Sequence, residues 1–328
     1  MQVTWVVGVI LLEMAAAAIA AFPLALPNCT DRCGDVRIPY PFGLTEGCYL
    51  KDTGDFFIHC KNDSAGQPQP WTGNLVVTNI SIQGQIDIMM YNTLDCYDES
   101  GKRLPENNTA SLSAPSFTVS DTQNKFVAVG CDTYAYLNGF KNGEPFSIGC
   151  LSVCKNTTNV VDGSCDGIGC CQMEIPEGLK NISFTAYSFK QHTIVWDFNP
   201  CSFAFIIRKD KFSFSSDYLI SLQNNKTLPM VLDWAIGTET CEDAKNKSAY
   251  LCGGNSICYD PINGAGTGYR CNCTDGYDGN PYLRDGCQGM QSTYIYPQQF
   301  SGKIKIKHLF LLCGNTFDFV LIVCMIAF

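Results

Sequence analysis

Residues 29–43 have the sequence CTDRCGDVRIPYPFG. Two cysteines in this stretch are followed by two prolines that alternate with aromatic side chains, at Tyr40 and Phe42. Because a proline ring fixes its own backbone φ angle, the second half of the stretch is predicted to form a rigid turn. Cys29 opens a series of eighteen cysteines that ends at Cys287, within a total of 20 in 328 residues. Reducing compartments keep thiols free, so this content predicts a disulfide-rich protein of an oxidising compartment.

The overall composition excludes two broad classes of protein. The chain has 22 lysines and arginines against 31 aspartates and glutamates, a net charge of −9, and no polybasic cluster. We therefore expect no nucleic-acid partner, because such binding needs concentrated positive charge. The apolar fraction of 46% is too high for a disordered chain, and the length allows two or three modules with cores of their own.

The first twenty residues have the layout of a secretory signal peptide. An apolar run at residues 6–12 is followed by small residues, among which Ala18 and Ala20 suit an A-x-A-like cleavage site. The run is short for a membrane span, which disfavours an uncleaved anchor. We therefore predict a signal peptide at residues 1–20 and entry into the secretory pathway.

The other end of the chain is apolar and open to two interpretations. Residues 309–328 match the length of one membrane crossing, but Asp318 lies within them. Lys303, Lys305 and Lys307 precede them on the expected outer side, against the usual distribution of positive charge. The segment is either an anchor in the plasma membrane or the hydrophobic end of a truncated chain.

Nine Asn-x-Ser/Thr sequons are distributed along the chain. Each alone is a weak signal, but nine of them beside a predicted signal peptide and many cysteines favour an extracellular glycoprotein. Asn28 and Asn272 directly precede cysteines and are the least favoured acceptors. Glycosylation is predicted at the other seven, which are Asn62, Asn79, Asn107, Asn156, Asn181, Asn225 and Asn246.

The cysteines divide by spacing into two groups, twelve within residues 29–201 and six within residues 241–287. Both numbers are even, so each group is able to close on itself as an independent module. The boundary between the two modules is expected within residues 222–237. The last two cysteines, Cys313 and Cys324, fall in the apolar end and belong to neither group.

The larger group of cysteines lies among segments with the pattern of β-strands. These segments are rich in β-branched and aromatic residues, alternate partly, and are separated by Gly, Pro, Asn and Asp. No helical period is sustained over a dozen residues there. The predicted fold class is mainly β, a disulfide-rich, multi-module extracellular protein with short strands. The clearest strand segments are residues 74–82, 86–88, 117–120, 125–129 and 202–207.

The six cysteines of the second group are separated by 10, 5, 12, 1 and 13 residues, with a Gly-Tyr-Asp-Gly string at residues 276–279. This arrangement resembles an epidermal-growth-factor-like (EGF-like) module. Six cysteines allow fifteen pairings, and spacing alone does not choose among them. A zinc site at Cys271 and Cys273, which are separated by one residue, is the competing interpretation, which the secretory context disfavours. The resemblance implies three disulfides, Cys241 with Cys258, Cys252 with Cys271, and Cys273 with Cys287.

Calcium binding by this module is not expected. Calcium-binding EGF-like modules carry acidic or amide oxygens just before the first cysteine, whereas residues 237–240 supply a single carboxylate, at Glu239. Asp260 and Tyr269 are similar to part of the calcium pattern, but the separation between them is longer than in that pattern. No metal site is therefore predicted within the chain.

The opening stretch and several later strings resemble the extracellular region of plant wall-associated receptor kinases. The string C-x3-C-G-x-V-x-I-P-Y-P-F-G at residues 29–43 looks like the galacturonan-binding domain of that family. Further similar strings lie at residues 129–137, 149–154, 167–176, 199–205 and 273–287. The organisation that this resemblance suggests is a galacturonan-binding domain at 29–131, a cysteine-rich region at 132–222, an EGF-like module at 237–288 and a divergent tail at 289–328.

The resemblance implies an extracellular or cell-wall protein that binds pectin, a polygalacturonan. Residues 22–70 carry four lysines and arginines against six aspartates and glutamates, so the module is locally acidic. Binding a polyanion there needs either a focused pair of cations or a bridging metal ion such as calcium. Arg32 and Arg37 are the candidate cations, because a guanidinium group matches a uronate carboxylate with two parallel hydrogen bonds.

Three aromatic residues are candidates for stacking on sugar rings, Tyr40, Phe42 and Tyr49. The alternative is that residues 38–43 form a rigid turn of the core whose aromatic side chains are buried. The two arginines have a similar alternative, in which they only solvate an exposed face. The sequence leaves these alternatives open.

Signatures of catalysis are missing from the sequence. It contains none of the kinase strings G-x-G-x-x-G-x-V, V-A-I-K, H-R-D or D-F-G, and its three histidines form no metal-ligand pair. We therefore expect a non-enzymatic, kinase-less ectodomain. The alternative function is a protein-interaction module or decoy, whose EGF-like module binds a peptide or a full-length wall-associated receptor kinase. A pectin hydrolase is a third and weaker hypothesis, since acidic pairs occur in any chain with this many carboxylates.

Overall fold

The computed structural model of the chain describes residues 22–51, 55–106, 108–141, 143–261 and 268–289. The predicted signal peptide at residues 1–20, the apolar segment at 309–328 and the sequon at Asn107 lie outside these residues. No helix in the described part of the chain has the length and apolar content needed to cross a membrane.

The described residues form twenty strands and a few short helical turns. The first ten strands are β1 (Arg32–Cys33), β2 (Val36–Arg37), β3 (His59–Asn62), β4 (Pro68–Thr72), β5 (Leu75–Ser81), β6 (Gln85–Tyr91), β7 (Thr93–Cys96), β8 (Ala110–Ser113), β9 (Phe117–Val119) and β10 (Asn124–Gly130). The other ten are β11 (Asp132–Lys141), β12 (Glu144–Val153), β13 (Gly169–Glu174), β14 (Asn181–Ser188), β15 (Cys201–Arg208), β16 (Thr227–Trp234), β17 (Ser256–Tyr259), β18 (Arg270–Cys273), β19 (Tyr277–Gly279) and β20 (Cys287–Gly289). The α-helices are α1 (Tyr218–Ser221) and α2 (Cys241–Lys245), and 3-10 turns lie at Thr157–Asn159, Lys209–Lys211 and Leu222–Asn224.

The strands assemble into three larger antiparallel sheets and three two-stranded ribbons. The larger sheets have the orders β3-β4-β5-β6-β16-β9, β13-β10-β15-β7 and β12-β11-β14-β8, and the ribbons are β1-β2, β17-β18 and β19-β20. Each of the five strand segments predicted from the sequence falls on a strand, for example β5, β6 and β15. The predicted class, mainly β and disulfide-rich, is confirmed.

The sheet β13-β10-β15-β7 is buried on both faces. Along β15, Ala204 and Ile206 belong to one hydrophobic core, whereas Phe203 and Phe205 belong to another. Strand β10 alternates in the same way. This double burial explains why residues 203–207 of β15 are all apolar and do not alternate between polar and apolar side chains. The first core also includes inward-facing residues of the other two larger sheets, such as Ile88 on β6, Leu137 on β11 and Phe184 on β14.

Nine disulfides connect the described cysteines, and none joins the first group of twelve to the second group of six. The second group pairs Cys241 with Cys258, Cys252 with Cys271, and Cys273 with Cys287, which are the pairs that the EGF-like resemblance implies. The first group pairs Cys29 with Cys48, Cys33 with Cys60, Cys96 with Cys201, Cys131 with Cys154, Cys150 with Cys171, and Cys165 with Cys170.

Side-chain packing, unlike the disulfides, connects the part of the chain that holds the first cysteine group with the part that holds the second. Trp234, at the end of β16, is buried with its ring centroid 5.4 Å from Phe42 and 5.3 Å from Tyr282 of the EGF-like module. The side-chain amide of Asn280 donates to the backbone oxygens of Leu24 and Tyr40, each at 2.8 Å. The expectation of two independent modules is therefore met for the disulfides but not for the hydrophobic core.

A turn after β14 is organised around the buried carboxylate of Asp132. Asp132 Oδ2 accepts from the Ser188 hydroxyl at 2.5 Å and from the backbone N–H groups of Lys190 and His192 at 2.9 and 3.0 Å. His192 is fully buried, with Nε2 2.9 Å from the Ser202 hydroxyl. Its Nδ1 has no hydrogen-bond partner among the described residues. Burial lowers the pKa of His192, and the negative charge of Asp132 opposes this effect only in part.

The lowered pKa of His192 predicts that acid destabilises the fold. The unfolded chain, with a histidine pKa of about 6.5, binds this proton more readily than the folded chain, so the free energy of unfolding falls as the pH drops below about 6.5. Urea unfolding between about pH 7 and 5, above the range in which exposed carboxylates titrate, measures the effect. His192→Gln should remove this part of the pH dependence. Parallel curves for the two proteins would contradict the assignment.

Candidate functional site

Arg32 and Arg37 face each other across the ribbon β1-β2. The two strands are joined by Gly34 and Asp35, and Arg32 is the register partner of Arg37. Opposed residues of an antiparallel pair have Cβ atoms about 4.5–5.5 Å apart and point to the same face. Both arginines are exposed. The structure therefore brings together the two cations that the sequence proposed as candidates.

The ribbon is fixed on the module by a close backbone contact and a disulfide. Gly34 has φ of +58°, and a Cβ atom at this position would lie 2.3 Å from the carbonyl oxygen of Pro68 on β4. Only glycine fits such an approach without displacing one of the two segments. Cys33 is bonded to Cys60 of β3, which ties the other side of the ribbon to the six-stranded sheet.

The arginine pair is not neutralised within the described part of the module. Lys51 is bonded to Glu46 at 2.8 Å, but neither Arg32 nor Arg37 forms a salt bridge with a described residue. Like charges directly opposed on two strands are unfavourable. An anion bound between the guanidinium groups would relieve this repulsion, and a carboxylate has the geometry to accept two hydrogen bonds from each of them.

Two of the three candidate stacking residues are part of the core. Phe42 is 0% exposed, with its ring 5.0 Å from Phe56 and 5.4 Å from Trp234, and Tyr40 is also buried. The prediction that these two residues stack on sugar rings is therefore wrong, because a ring enclosed by other rings offers no face to a sugar. Both residues instead fit the alternative prediction, a rigid turn of the core with buried aromatic side chains.

Tyr49 is half-buried and belongs to a short row of aromatic side chains at the surface. Its ring centroid lies 5.2 Å from Phe57, which in turn lies 4.4 Å from His59. Phe57 and His59 were not predicted from the sequence. The signal for them is the alternation in residues 56–59, where Phe56 and Ile58 are buried while Phe57 and His59 are half-buried or exposed. Tyr49 therefore remains a candidate for sugar contact.

The two residues of the EGF-like module that are similar to a calcium pattern are engaged in other contacts. Asp260 Oδ1 accepts from the backbone N–H of Cys241 at 2.6 Å. Tyr269 is buried, and its hydroxyl accepts from the backbone N–H of Leu251 at 2.8 Å. In the part of the chain that the structure describes, no group of three or more His, Cys, Asp or Glu side chains is placed to hold a metal ion.

The asparagines of eight sequons lie in the described residues, and all eight are exposed. Six of the seven predicted glycosylation sites are among them, namely Asn62, Asn79, Asn156, Asn181, Asn225 and Asn246. Their exposure meets the steric requirement for a glycan, which has to lie on the surface. Glycosylation at these positions stays a prediction.

The arginine ribbon lies within a segment that matches a known family model. Residues 29–92 match the family model described as wall-associated receptor kinase galacturonan-binding. Wall-associated receptor kinase 2 of Arabidopsis thaliana is 39% identical over 262 residues, which cover 80% of this chain and 34% of that protein. Wall-associated receptor kinase 1 of the same plant is 39% identical over 266 residues, with the same coverage. The chain thus spans about a third of the length of these relatives. No solved structure matches the chain.

The contact between Gly34 and Pro68 predicts an unequal effect of two glycine substitutions. Gly34→Ala and Gly66→Ala both place a side chain at positive φ, at +58° and +80°, but the new Cβ at position 66 meets nothing within 4 Å. Gly66→Ala should lower the free energy of unfolding by about 1–2 kcal/mol, the cost of a left-handed conformation. Gly34→Ala should lower it by more, because of the added clash. Denaturant unfolding with the disulfides intact measures both, and equal losses would contradict the role of the contact.

Proposed function

The chain resembles the extracellular region of the wall-associated receptor kinases over 80% of its length, and on this premise we propose that it binds pectin at the plant cell wall. The proposed function is non-enzymatic recognition of polygalacturonan. The observation that carries it is the match of residues 29–92 to a galacturonan-binding model, with Arg32 and Arg37 opposed on one ribbon within that segment.

The charge distribution indicates how such binding works. The chain as a whole has a net charge of −9, so a polyanion is repelled at long range and has to be held by a local concentration of positive charge. The two adjacent guanidinium groups provide this local positive charge, since each is able to donate two hydrogen bonds to one carboxylate of the repeating uronate chain. A calcium ion shared between a uronate and an exposed carboxylate of the protein would add to this attraction.

An extracellular location is consistent with the covalent features of the chain. Nine disulfides persist only in an oxidising compartment, and the exposed sequons suit a secreted protein. An anchor in the plasma membrane would depend on residues 309–328, which lie outside the described residues.

Charge substitution on the ribbon tests the proposed function. The full chain with Arg32→Gln and Arg37→Gln should bind polygalacturonate at least about tenfold more weakly than the native chain, because two charge-assisted contacts are lost. Lys211→Gln with Lys245→Gln is the matched control, since it removes two exposed positive charges outside residues 29–92. Affinity is measured by titration calorimetry at two salt concentrations, with and without calcium.

Two outcomes would contradict the proposal. Equal losses in the arginine variant and the lysine control would indicate attraction by general charge rather than by the ribbon. No binding by the native chain, with or without calcium, would exclude pectin recognition altogether.

A second candidate function is protein binding by the EGF-like module, as a partner or decoy of a full-length wall-associated receptor kinase. It is favoured by exposed apolar side chains on β17, where Ile257 is 55% exposed and Tyr259 lies two residues further on the same face. Ile257→Ser in the full chain should abolish capture of such a receptor while leaving polygalacturonate binding unchanged. Unchanged capture by this variant would count against the module as the contact surface.

A further inference from the structure

Four aromatic side chains lie together on the outer face of the sheet β12-β11-β14-β8, and we call them the aromatic platform. They are Tyr134 and Tyr136 of β11, Tyr187 of β14, and Phe189 directly after β14. Tyr136 is 43% exposed and Phe189 is 49% exposed, although both are large and apolar. The alternate residues of the same strands point inward and belong to the first core, among them Ala135, Leu137 and Ala186.

The rings of the platform form one continuous surface. Tyr134 is stacked on Tyr187 with centroids 5.1 Å apart and an interplanar angle of 18°. It also contacts Phe189 at 4.7 Å and the edge of Tyr136 at 5.8 Å. The stacking follows from the register, because Tyr134 and Tyr187 are direct partners across β11 and β14. The stack of Tyr134 on Tyr187 is therefore a consequence of strand pairing, whereas Phe189 is positioned by the turn after β14.

Gly149 on β12 allows the ring of Tyr136 to lie flat. It is the register partner of Tyr136, and a Cβ atom at position 149 would lie 3.0 and 3.1 Å from two carbons of the tyrosine ring. A ring so close to the glycine backbone lies across the neighbouring strand, as aromatic residues do when they cover a glycine in a sheet. One face of the ring is thus against the sheet, while the side chain as a whole remains accessible to solvent.

An anchored arginine stands at the edge of the platform. Arg103 Nε donates to Asp95 Oδ1 at 2.6 Å, and Asp95, whose side chain is 1% exposed, also accepts from the backbone N–H of Ser188 at 3.2 Å. This carboxylate therefore ties Arg103 to the residue that follows Tyr187. The Arg103 side chain is 56% exposed, and its terminal nitrogens form no hydrogen bond with a described residue. They are available to an outside acceptor.

The rest of the face carries both apolar and small polar side chains, and two of the apolar ones, Phe140 and Leu151, are 57% and 56% exposed. The polar ones include Asn138, Ser147 and Ser183, which point outward in register with one another, and Thr185, which is the register partner of Tyr136. The sequon asparagine Asn181 lies on this polar half, six residues from Tyr187 along β14, which corresponds to about 20 Å. A protein interface that covered the whole face would have to enclose both the hydroxyl rows and this sequon. This polar half is unlike the apolar centre of a protein interface.

We propose that the aromatic platform, together with Arg103, is a second binding surface for an acidic polysaccharide, outside the residues 29–92 that match the galacturonan-binding model. The apolar face of a sugar ring would stack on Tyr136 and Tyr187, ring hydroxyls would bond to the neighbouring polar side chains, and a uronate carboxylate would pair with Arg103. The identity of the sugar as a galacturonan rests on the proposed function. Two separate surfaces on one chain would hold a long polymer more tightly than either surface alone.

The proposal predicts a selective loss of binding to short oligogalacturonides. In the full chain, Tyr136→Ala and Tyr187→Ala should each weaken binding by about fivefold, and both together by more. Tyr136→Phe keeps the ring and should bind like the native chain. Arg103→Lys keeps the charge but loses the planar fork, so it should weaken binding of the oligogalacturonide without affecting the same oligomer with its carboxyl groups reduced. Tyr91→Ala, at a tyrosine of β6 with 40% exposure, is the matched control.

The outcomes separate this inference from the function proposed above. Native binding with no loss in Tyr136→Ala and Tyr187→Ala would overturn the platform and leave pectin binding intact. A loss in the platform variants without a loss in the variant of Arg32 and Arg37 would support the platform and reject the ribbon. No binding by the native chain would reject both. If the platform variants change the oligomeric state or capture of a protein, with sugar binding unaffected, the face is a protein interface and the inference fails.

Discussion

The burial of Trp234 joins three parts of the chain that are distant in sequence. Its ring lies against Phe42 and Phe56 of the N-terminal segment on one side and against Tyr282 of the EGF-like module on the other. Its Nε1 atom donates to the backbone oxygen of Gln85 at 3.2 Å, so the indole N–H is satisfied within the core. The turn that carries Phe42 is therefore held by packing from residues about 200 positions further along the chain. The arginine ribbon that precedes this turn is fixed separately, by Cys60 and Pro68.

The doubly buried sheet explains how a chain of short strands acquires enough core. Small β domains are limited by the area that one sheet face is able to bury. By sending alternate residues of β10 and β15 into two cores, the chain uses both faces of one sheet. The outer sheet β12-β11-β14-β8 then needs to bury only its inner face. Its outer face is free to carry the tyrosines of the platform, whose exposure does not cost the fold its core.

The sequence predicted features that depend on local pattern and on cysteine spacing. The strands β5, β6, β10 and β15 follow from their composition, and the EGF-like pairs follow from a resemblance. Phe42 could not be assigned, because a ring between two prolines suits a buried turn and a sugar platform equally well. Tyr134 and Tyr187 were missed for a different reason. They are more than fifty residues apart, and only the register of β11 with β14 brings them together. Arg103 was missed because the sequence does not show that Asp95, the carboxylate that holds it, is buried.

The hydrogen bonds of Asn280 have a mechanical consequence. Since its amide group holds Leu24 and Tyr40, the first and last described segments of the chain lie side by side. A pulling force applied between these segments would act first on this junction and would not shear the three larger sheets. Opening the junction would also uncover the backbone of the turn that follows the arginine ribbon. Tension on a chain that is held at both ends would therefore act on the segment that carries the ribbon before it separates the strands of the larger sheets.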